Sequence, residues 1–282
     1  MITTEQIHRY RRETFRLSQP IQSLDEAIQF VNTRGFVFLW PIQELLLPSL
    51  WVAVAGDRPV PNQHDDPAHI TWRWKDAMLS KQVWYYAKIL RKKATILSLE
   101  LAPYFYALTE NYGDIENDIL ILYRQGKITQ EAKAVYEALL HHGPLDTIRL
   151  RQEAHLSSPN SDARFNKALT DLQADFKVVP VGVAEAGAWR YAFVYDLTAR
   201  KFPSIVEQAC WISEGKAYAK ILQTYLTSIG AGTLQHIRKL FLWESSTILK
   251  TLERLLEQKQ IVVETLQGQD ETWYCVTQIL DK

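Results

Sequence analysis

One order of elements occurs twice in this 282-residue chain, and no other feature restricts its fold as strongly. In the first copy, residues 129–142 read as a helix with Ala132, Val135, Tyr136, Leu139 and Leu140 on one face. Gly143-Pro144 ends it, because proline cannot continue a helix. A short helix over 145–155 begins near Asp146, and 157–161 is turn-rich. A third helix over 161–175 carries Phe165, Leu169 and Leu172 at helical spacing. Residues 176–181 then read as a strand and Glu185-Ala186-Gly187 as a tip, with Trp189, Tyr191 and Phe193 alternating on the returning strand. In the second copy, a helix over 217–229 is closed by Gly230-Ala231-Gly232, and Thr233 caps a second helix over 233–240. A third helix over 245–259 carries Ile248, Leu252, Leu255 and Leu256, followed by strand Ile261-Val262-Val263, a turn at 267–270 and strand 272–276.

Helix, glycine break, short helix, turn, helix, strand, tip, strand is the winged-helix order. Its recurrence predicts a mainly α chain with small β-hairpins (α+β), built of tandem winged-helix modules. Three modules are expected, although the pattern in the N-terminal half does not by itself establish the third. The expected division is 1–125, 126–200 and 205–282, with a basic-aromatic segment in the first part. In such modules the third helix usually enters the major groove and the hairpin, or wing, touches the backbone or minor groove. Arg164 and Lys167 in the first copy and Lys250 and Arg254 in the second are therefore candidate phosphate contacts, with Lys177 and Arg190 flanking the first wing. The second wing (Gln267, Gln269, Asp270, Glu271) is neutral to acidic and is expected to avoid phosphate. Tandem winged helices used only for protein packing remain an alternative.

Further toward the N-terminus, residues 6–16 form a basic helical stretch with Arg9, Arg11, Arg12 and Arg16. Ser23 and Glu26 form a capping box for a helix over 24–33, which Arg34-Gly35 closes before the bulky run Phe36 to Trp40. Residues 54–70 are loop-like. His64, Asp65, Asp66 and His69 invite a metal reading, but their spacing fits no established ligand motif and Asp65-Asp66-Pro67 reads equally as a helix entry. No metal or cofactor is assigned. Residues 71–93 bring Arg73, Lys75, Lys81, Lys88, Arg91, Lys92 and Lys93 against the single acid Asp76, interleaved with Trp72, Trp74, Trp84, Tyr85 and Tyr86. Two readings fit: a phosphate-attracting, base-stacking surface, or a solvated basic helix whose Trp84 and Tyr85 pack under Leu97 and Leu101. Glu110, Asp114, Glu116 and Asp118 form an acidic connector into the first clear copy.

With 32 basic and 32 acidic side chains the net charge is zero, which argues against a strongly basic, non-specific nucleic-acid binder but leaves a local patch open. No apolar run is long enough to span a bilayer, no signal-peptide core is present, and Cys210 and Cys275 lack partners, so a cytoplasmic location is expected. Glycine-rich phosphate loops, a nucleophile elbow and a zinc-protease motif are absent.

Two short stretches carry a family resemblance: Arg34-Gly35-Phe36-Val37-Phe38-Leu39-Trp40, and Ala94-Thr95-Ile96-Leu97-Ser98-Leu99-Glu100-Leu101-Ala102-Pro103. Together with the tandem modules they make the chain resemble the bacterial winged-helix DNA glycosylases of the AlkZ/YcaQ type, which release alkylated bases and unhook interstrand crosslinks. The resemblance implies DNA, duplex and possibly damaged, as partner. It also exposes a departure. The family's Gln-apolar-Gln or Gln-apolar-Asp motif, which holds the attacking water, falls here on Phe38 and Trp40, neither of which can orient water or take its proton. Where the family often has His-Glu, this chain has Lys92-Lys93. The expectation is a DNA-binding relative whose catalysis is in doubt. The alternatives are an active glycosylase using Asp65, Asp66, His69 or Glu100, and a winged-helix transcriptional regulator or interaction scaffold. A nucleic-acid role predicts a continuous groove joining Arg73, Lys75, Lys92, Lys93, Arg164 and Lys167.

Overall fold

The computed structural model describes residues 1–280 apart from His64, Ala188 and Gln269. The chain opens with α1 (Thr4–Thr14), capped by Thr3, whose hydroxyl accepts from the Gln6 amide while the Gln6 side chain accepts from the Thr3 amide. The first module follows as α2 (Leu24–Arg34), β1 (Phe36–Phe38), α3 (Leu50–Ala55), α4 (Ile70–Leu79), β2 (Trp84–Lys88) and β3 (Ala94–Ser98). The connector holds α5 (Ala102–Tyr106) and α6 (Asp118–Arg124). The second module is α7 (Gln130–His142), β4 (Leu145–Asp146), α8 (Thr147–Glu153), α9 (Asp162–Ala174), β5 (Val178–Ala184) and β6 (Ala192–Leu197). After α10 (Thr198–Lys201) and α11 (Pro203–Ala209) comes the third: α12 (Glu214–Ile229), β7 (Ala231–Gly232), α13 (Leu234–Phe241), α14 (Ser245–Glu257), β8 (Val262–Thr265) and β9 (Thr272–Cys275).

All three modules share the order helix, strand, helix, helix, strand, strand. Each forms an antiparallel three-stranded sheet whose last strand lies in the middle: β1-β3-β2, β4-β6-β5 and β7-β9-β8. The chain is thus mainly helical with small β-hairpins, and its N-terminal half carries the same order as the two legible copies.

Local chemistry explains the boundaries. Thr129 accepts from the Ala132 amide, Asp146 from those of Ile148 and Arg149, and Thr233 from that of His236, so each helix start finds a side-chain acceptor for an otherwise unpaired donor. Ser23 caps α2 through the Glu26 amide, but Glu26 reaches the Gln22 amide instead of closing the expected box on Ser23. Two glycines are dictated by space as well as φ. A Cβ at Gly35 (φ 75°) would lie 2.5 Å from Thr224, and one at Gly230 (φ 78°) would lie 2.6 Å from the Tyr10 ring.

The first module is the keystone. Alternation along its strands sends Phe36, Phe38, Tyr85, Ala87 and Leu97 into a core shared with the third module and the connector. Val37, Leu39, Trp84, Tyr86 and Ile96 go into a second core under α2, α3 and α4. The shared core is aromatic: Phe36 meets Phe105 edge-on at 5.4 Å, and Tyr85 stacks on Phe176 at 4.7 Å. The second module keeps its own core of Val135, Leu139, Leu150, Phe165, Leu172 and Leu197. Each such side chain contributes about 1.5–3 kcal/mol on burial. Helix α1 packs on α12: the Tyr10 hydroxyl donates to the Thr227 carbonyl at 2.8 Å, and Arg11 donates to the carbonyls of Ile229 and Ala231 at 3.0 and 2.9 Å. Arg11, one of the arginines of the basic N-terminal helix, thus serves the end of a helix in the third module.

The segment 71–93 is not one basic helix. It divides into α4 and the strand β2, whose Trp84 and Tyr85 are buried, with Tyr85 paired to Leu97. The strand is covered on both faces, so it lacks the alternation that marks a half-exposed strand, and its continuous apolar run reads equally as buried helix.

Candidate nucleic-acid interface

Position 38, one of the two on which the family resemblance places the water-holding motif, lies on the face of β1 that points into the shared core, and Phe38 is fully buried there. The chain turns after β1, and Trp40 comes instead to the rim of a cleft of about 620 Å³. Trp40 meets the His69 ring edge-on at 5.7 Å and lies 6.2 Å from the Trp72 ring. Asn62, Asp65, Asp66, His69 and Arg73 supply the polar lining. A cleft of this size with aromatic walls and a polar edge suits a planar ligand.

Asp66 builds this rim. It caps the turn Pro67–His69 by accepting from the Ala68 amide at 2.9 Å, and it accepts from Arg58 at 2.7 Å, whose guanidinium lies 4.9 Å over the Trp51 ring. The Arg58 hydrogen bond, then that of Ala68, holds the Asp66 carboxyl below its ordinary range. It is therefore a poor proton acceptor at neutral pH. Glu100 pairs with Lys220 at 3.5 Å and does not line the cleft. Among the described residues no group of three or more metal-ligating side chains forms; His64, part of the metal reading, lies outside them.

Lys75 is fully buried, which removes it from the phosphate contacts expected of it. Its Nζ lies 2.6 Å from Asp76, donates to the Tyr191 hydroxyl at 3.1 Å, and sits 4.2 and 4.3 Å from the Trp72 and Phe193 ring centres. Burial lowers its pKa, and Asp76 opposes the shift. The cation instead ties α4 to the second module's hairpin. Lys177 is likewise buried: its Nζ donates to the Glu110 carbonyl at 3.1 Å and to Asn111 Oδ1 at 2.7 Å, pinning the connector. A lysine at the start of a wing reads as a phosphate contact; only the tertiary fold reveals the carbonyl that claims it.

The other cations are exposed. Lys92 and Lys167 converge on Asp171 at 2.5 and 2.6 Å, joining the first module's wing to α9. Burial opposes ionisation of Asp171, but the hydrogen bonds from Lys167 and Lys92 outweigh it and keep its carboxyl below the usual range. Arg164 pairs with Glu131 at 3.0 Å and Arg190 with Glu185 at 2.6 Å. Arg73, Lys93, Lys250 and Arg254 are exposed. Lys88, named in the basic-aromatic segment but not among the expected contacts, reaches Thr170 on α9 at 3.4 Å and lines a second depression with Tyr191 and the 91% exposed Trp189. Tyr191 lies 5.9 Å from Trp72. Ring contacts run from Trp40 through Trp72 to Tyr191, which lines the second depression together with Lys88; Lys92 and Lys167 meet on Asp171, the residue after the Thr170 that Lys88 reaches. Of the expected groove, Arg73, Lys92 and Lys167 lie along this surface, Lys93 is exposed beside Lys92, Arg164 is another exposed residue of α9, and Lys75 is under the surface rather than on it.

Three modules with the same element order, each with its own small sheet, make a mainly helical protein with small β-hairpins. The sequence profile of the AlkZ-related family ("AlkZ related") matches residues 21–242, and the chain belongs to that family. Among solved structures, the Streptomyces sahachiroi DNA glycosylase AlkZ superposes with a TM-score of 0.62 at 14% identity, covering 99% of this chain and 71% of that one. No curated protein matches significantly in sequence. No described helix is long and apolar enough to cross a membrane.

Proposed function

We propose that this protein is a DNA-binding member of the AlkZ-related family, acting in DNA repair, that holds an unstacked base or similar planar group in the Trp40–Trp72 cleft. The observation that carries the reading is the row of aromatic rings from that cleft to Tyr191, which shares a depression with Lys88 close to the Lys92–Lys167 pair on Asp171. Cations attract the phosphate backbone, and aromatic faces stack on unpaired bases. Base excision by the relatives' water-holding pair is not part of the reading, because Phe38 is core and Trp40 is a wall. Titrating labelled duplex, single-stranded and alkylated DNA across a salt series tests it: affinity should fall steeply with salt, and lack of binding to all three at low salt overturns it.

A second reading has one observation in its favour: His69 and Asp65 line the same cleft. An active glycosylase using them would release base from N7-alkylated duplex in a single turnover with excess protein. Loss of release in His69→Ala and Asp65→Asn would assign the chemistry to them.

A further inference from the structure

The wing of the first module does not end in solvent. Its turn Leu90–Lys92 packs against α9 on one side and α13 of the third module on the other. Arg91 is held there in the left-handed region (φ 54°, ψ 25°), with one N–H donating to the Lys239 carbonyl at 2.9 Å. Beside it opens a depression of about 350 Å³, to which Arg91, Gln235, Arg238, Lys239 and Ser245 contribute.

Basic residues in the last turn of α13 have an ordinary role, since they offset the negative end of the helix dipole. That role leaves much unused. A guanidinium has five N–H donors, and Arg91 commits one of them to Lys239. Arg238 is exposed, and its guanidinium makes no hydrogen bond or ion pair with any described residue. Lys239 pairs with Glu44 at 3.0 Å, but both are exposed, and such a pair is weak and easily exchanged for another anion. The surface from α9 to α13 therefore carries Lys167, Arg91, Lys92, Lys93, Arg238 and Lys239 against Asp171, Glu44 and Glu244. On a chain whose total charge is zero, that local excess is a patch for an anion.

We propose that this depression is a phosphodiester site, in which Arg91, Arg238 and Lys239 grip DNA backbone running on from the Lys92–Lys167 strip. The inference rests on the DNA-binding reading and extends the contact across the first module's wing onto the third module. It assigns the third module's contribution to the α13–α14 junction rather than to Lys250 and Arg254 on α14.

The test compares Arg238→Glu with Lys216→Glu, an equal charge reversal at an exposed position on α12, in duplex titrations at several salt concentrations. Arg238→Glu should weaken low-salt binding about tenfold and reduce the salt slope by about one unit, the signature of one lost phosphate contact, while Lys216→Glu leaves the slope unchanged. Arg238→Gln should lie between wild type and Arg238→Glu. If the wild type binds duplex and both reversals leave the slope alone, the site is overturned and the DNA-binding reading stands. If the wild type binds no DNA at low salt, that reading fails and the site falls with it. Thermal melting of each variant confirms that the exposed changes leave the fold intact.

Discussion

The first and third sheets have the same strand order and opposite surroundings. The first is covered on both faces, by the shared core and by α2, α3 and α4, and its wing is clasped between α9 and α13. The third buries one face only: along β8, partly buried Val262 and Glu264 alternate with exposed Val263 and Thr265, and its hairpin carries Asp270 and Glu271. A repeated element order therefore fixes the module and not its task. One wing has become an internal strut with a cationic tip, while the other is an acidic surface hairpin tied to the N-terminal Ile2.

The largest effect separating the two sheets should come from Phe38. Phe38→Ala leaves a cavity in the shared core and should cost about 3–5 kcal/mol in urea unfolding. Val263→Thr on the third sheet should stay within about 0.5 kcal/mol. Equal costs would break the comparison. Lys75→Met should come next, at about 3 kcal/mol, because Asp76 is left beside an apolar cage without its cation. Adding Asp76→Leu should recover most of that loss, and failure to recover would mean that Lys75 acts through packing rather than charge.

A smaller contrast concerns DNA. Lys92→Ala with Lys167→Ala on the clasped side should lower the salt slope of duplex binding by about two units, while neutralising Asp270 and Glu271 on the third module's wing should leave it nearly unchanged. The smallest effect is electrostatic. The folded pKa of Asp171 is depressed, so its stabilising contribution is fully present above the unfolded carboxylate value, about 3.9, and is lost as pH falls through the lower folded value. Asp171→Asn should remove that acid-side dependence, worth less than about 1 kcal/mol because the pair is partly exposed, as read by unfolding across pH 6 to about pH 2.5.

How much of this was legible in sequence varied with the range of the forces involved. The helices of the second and third modules announce themselves through Thr129, Asp146 and Thr233 caps and through apolar spacing, all local signals. The first module hides because α3 has six residues, too few for a period, and because Asp66 caps its turn inside what reads as loop. Strand β2 hides because both its faces are buried. The cleft was least legible of all. Trp72 stands out in the basic-aromatic segment as a stacking candidate, but its neighbours Trp40 and Tyr191 come from distant parts of the chain, and no spacing rule links them. The same long-range packing withdrew Lys75 and Lys177 from solvent.

Helix α1 lies on α12, and Ile2 exchanges backbone hydrogen bonds with Thr265 and Gln267, both at 3.0 Å. During synthesis the first helix emerges long before its docking surface does. It must wait, solvated, while the second module completes its own separate core. Vectorial folding should therefore proceed from the middle outward, with α1 and the last hairpin closing together as the final step.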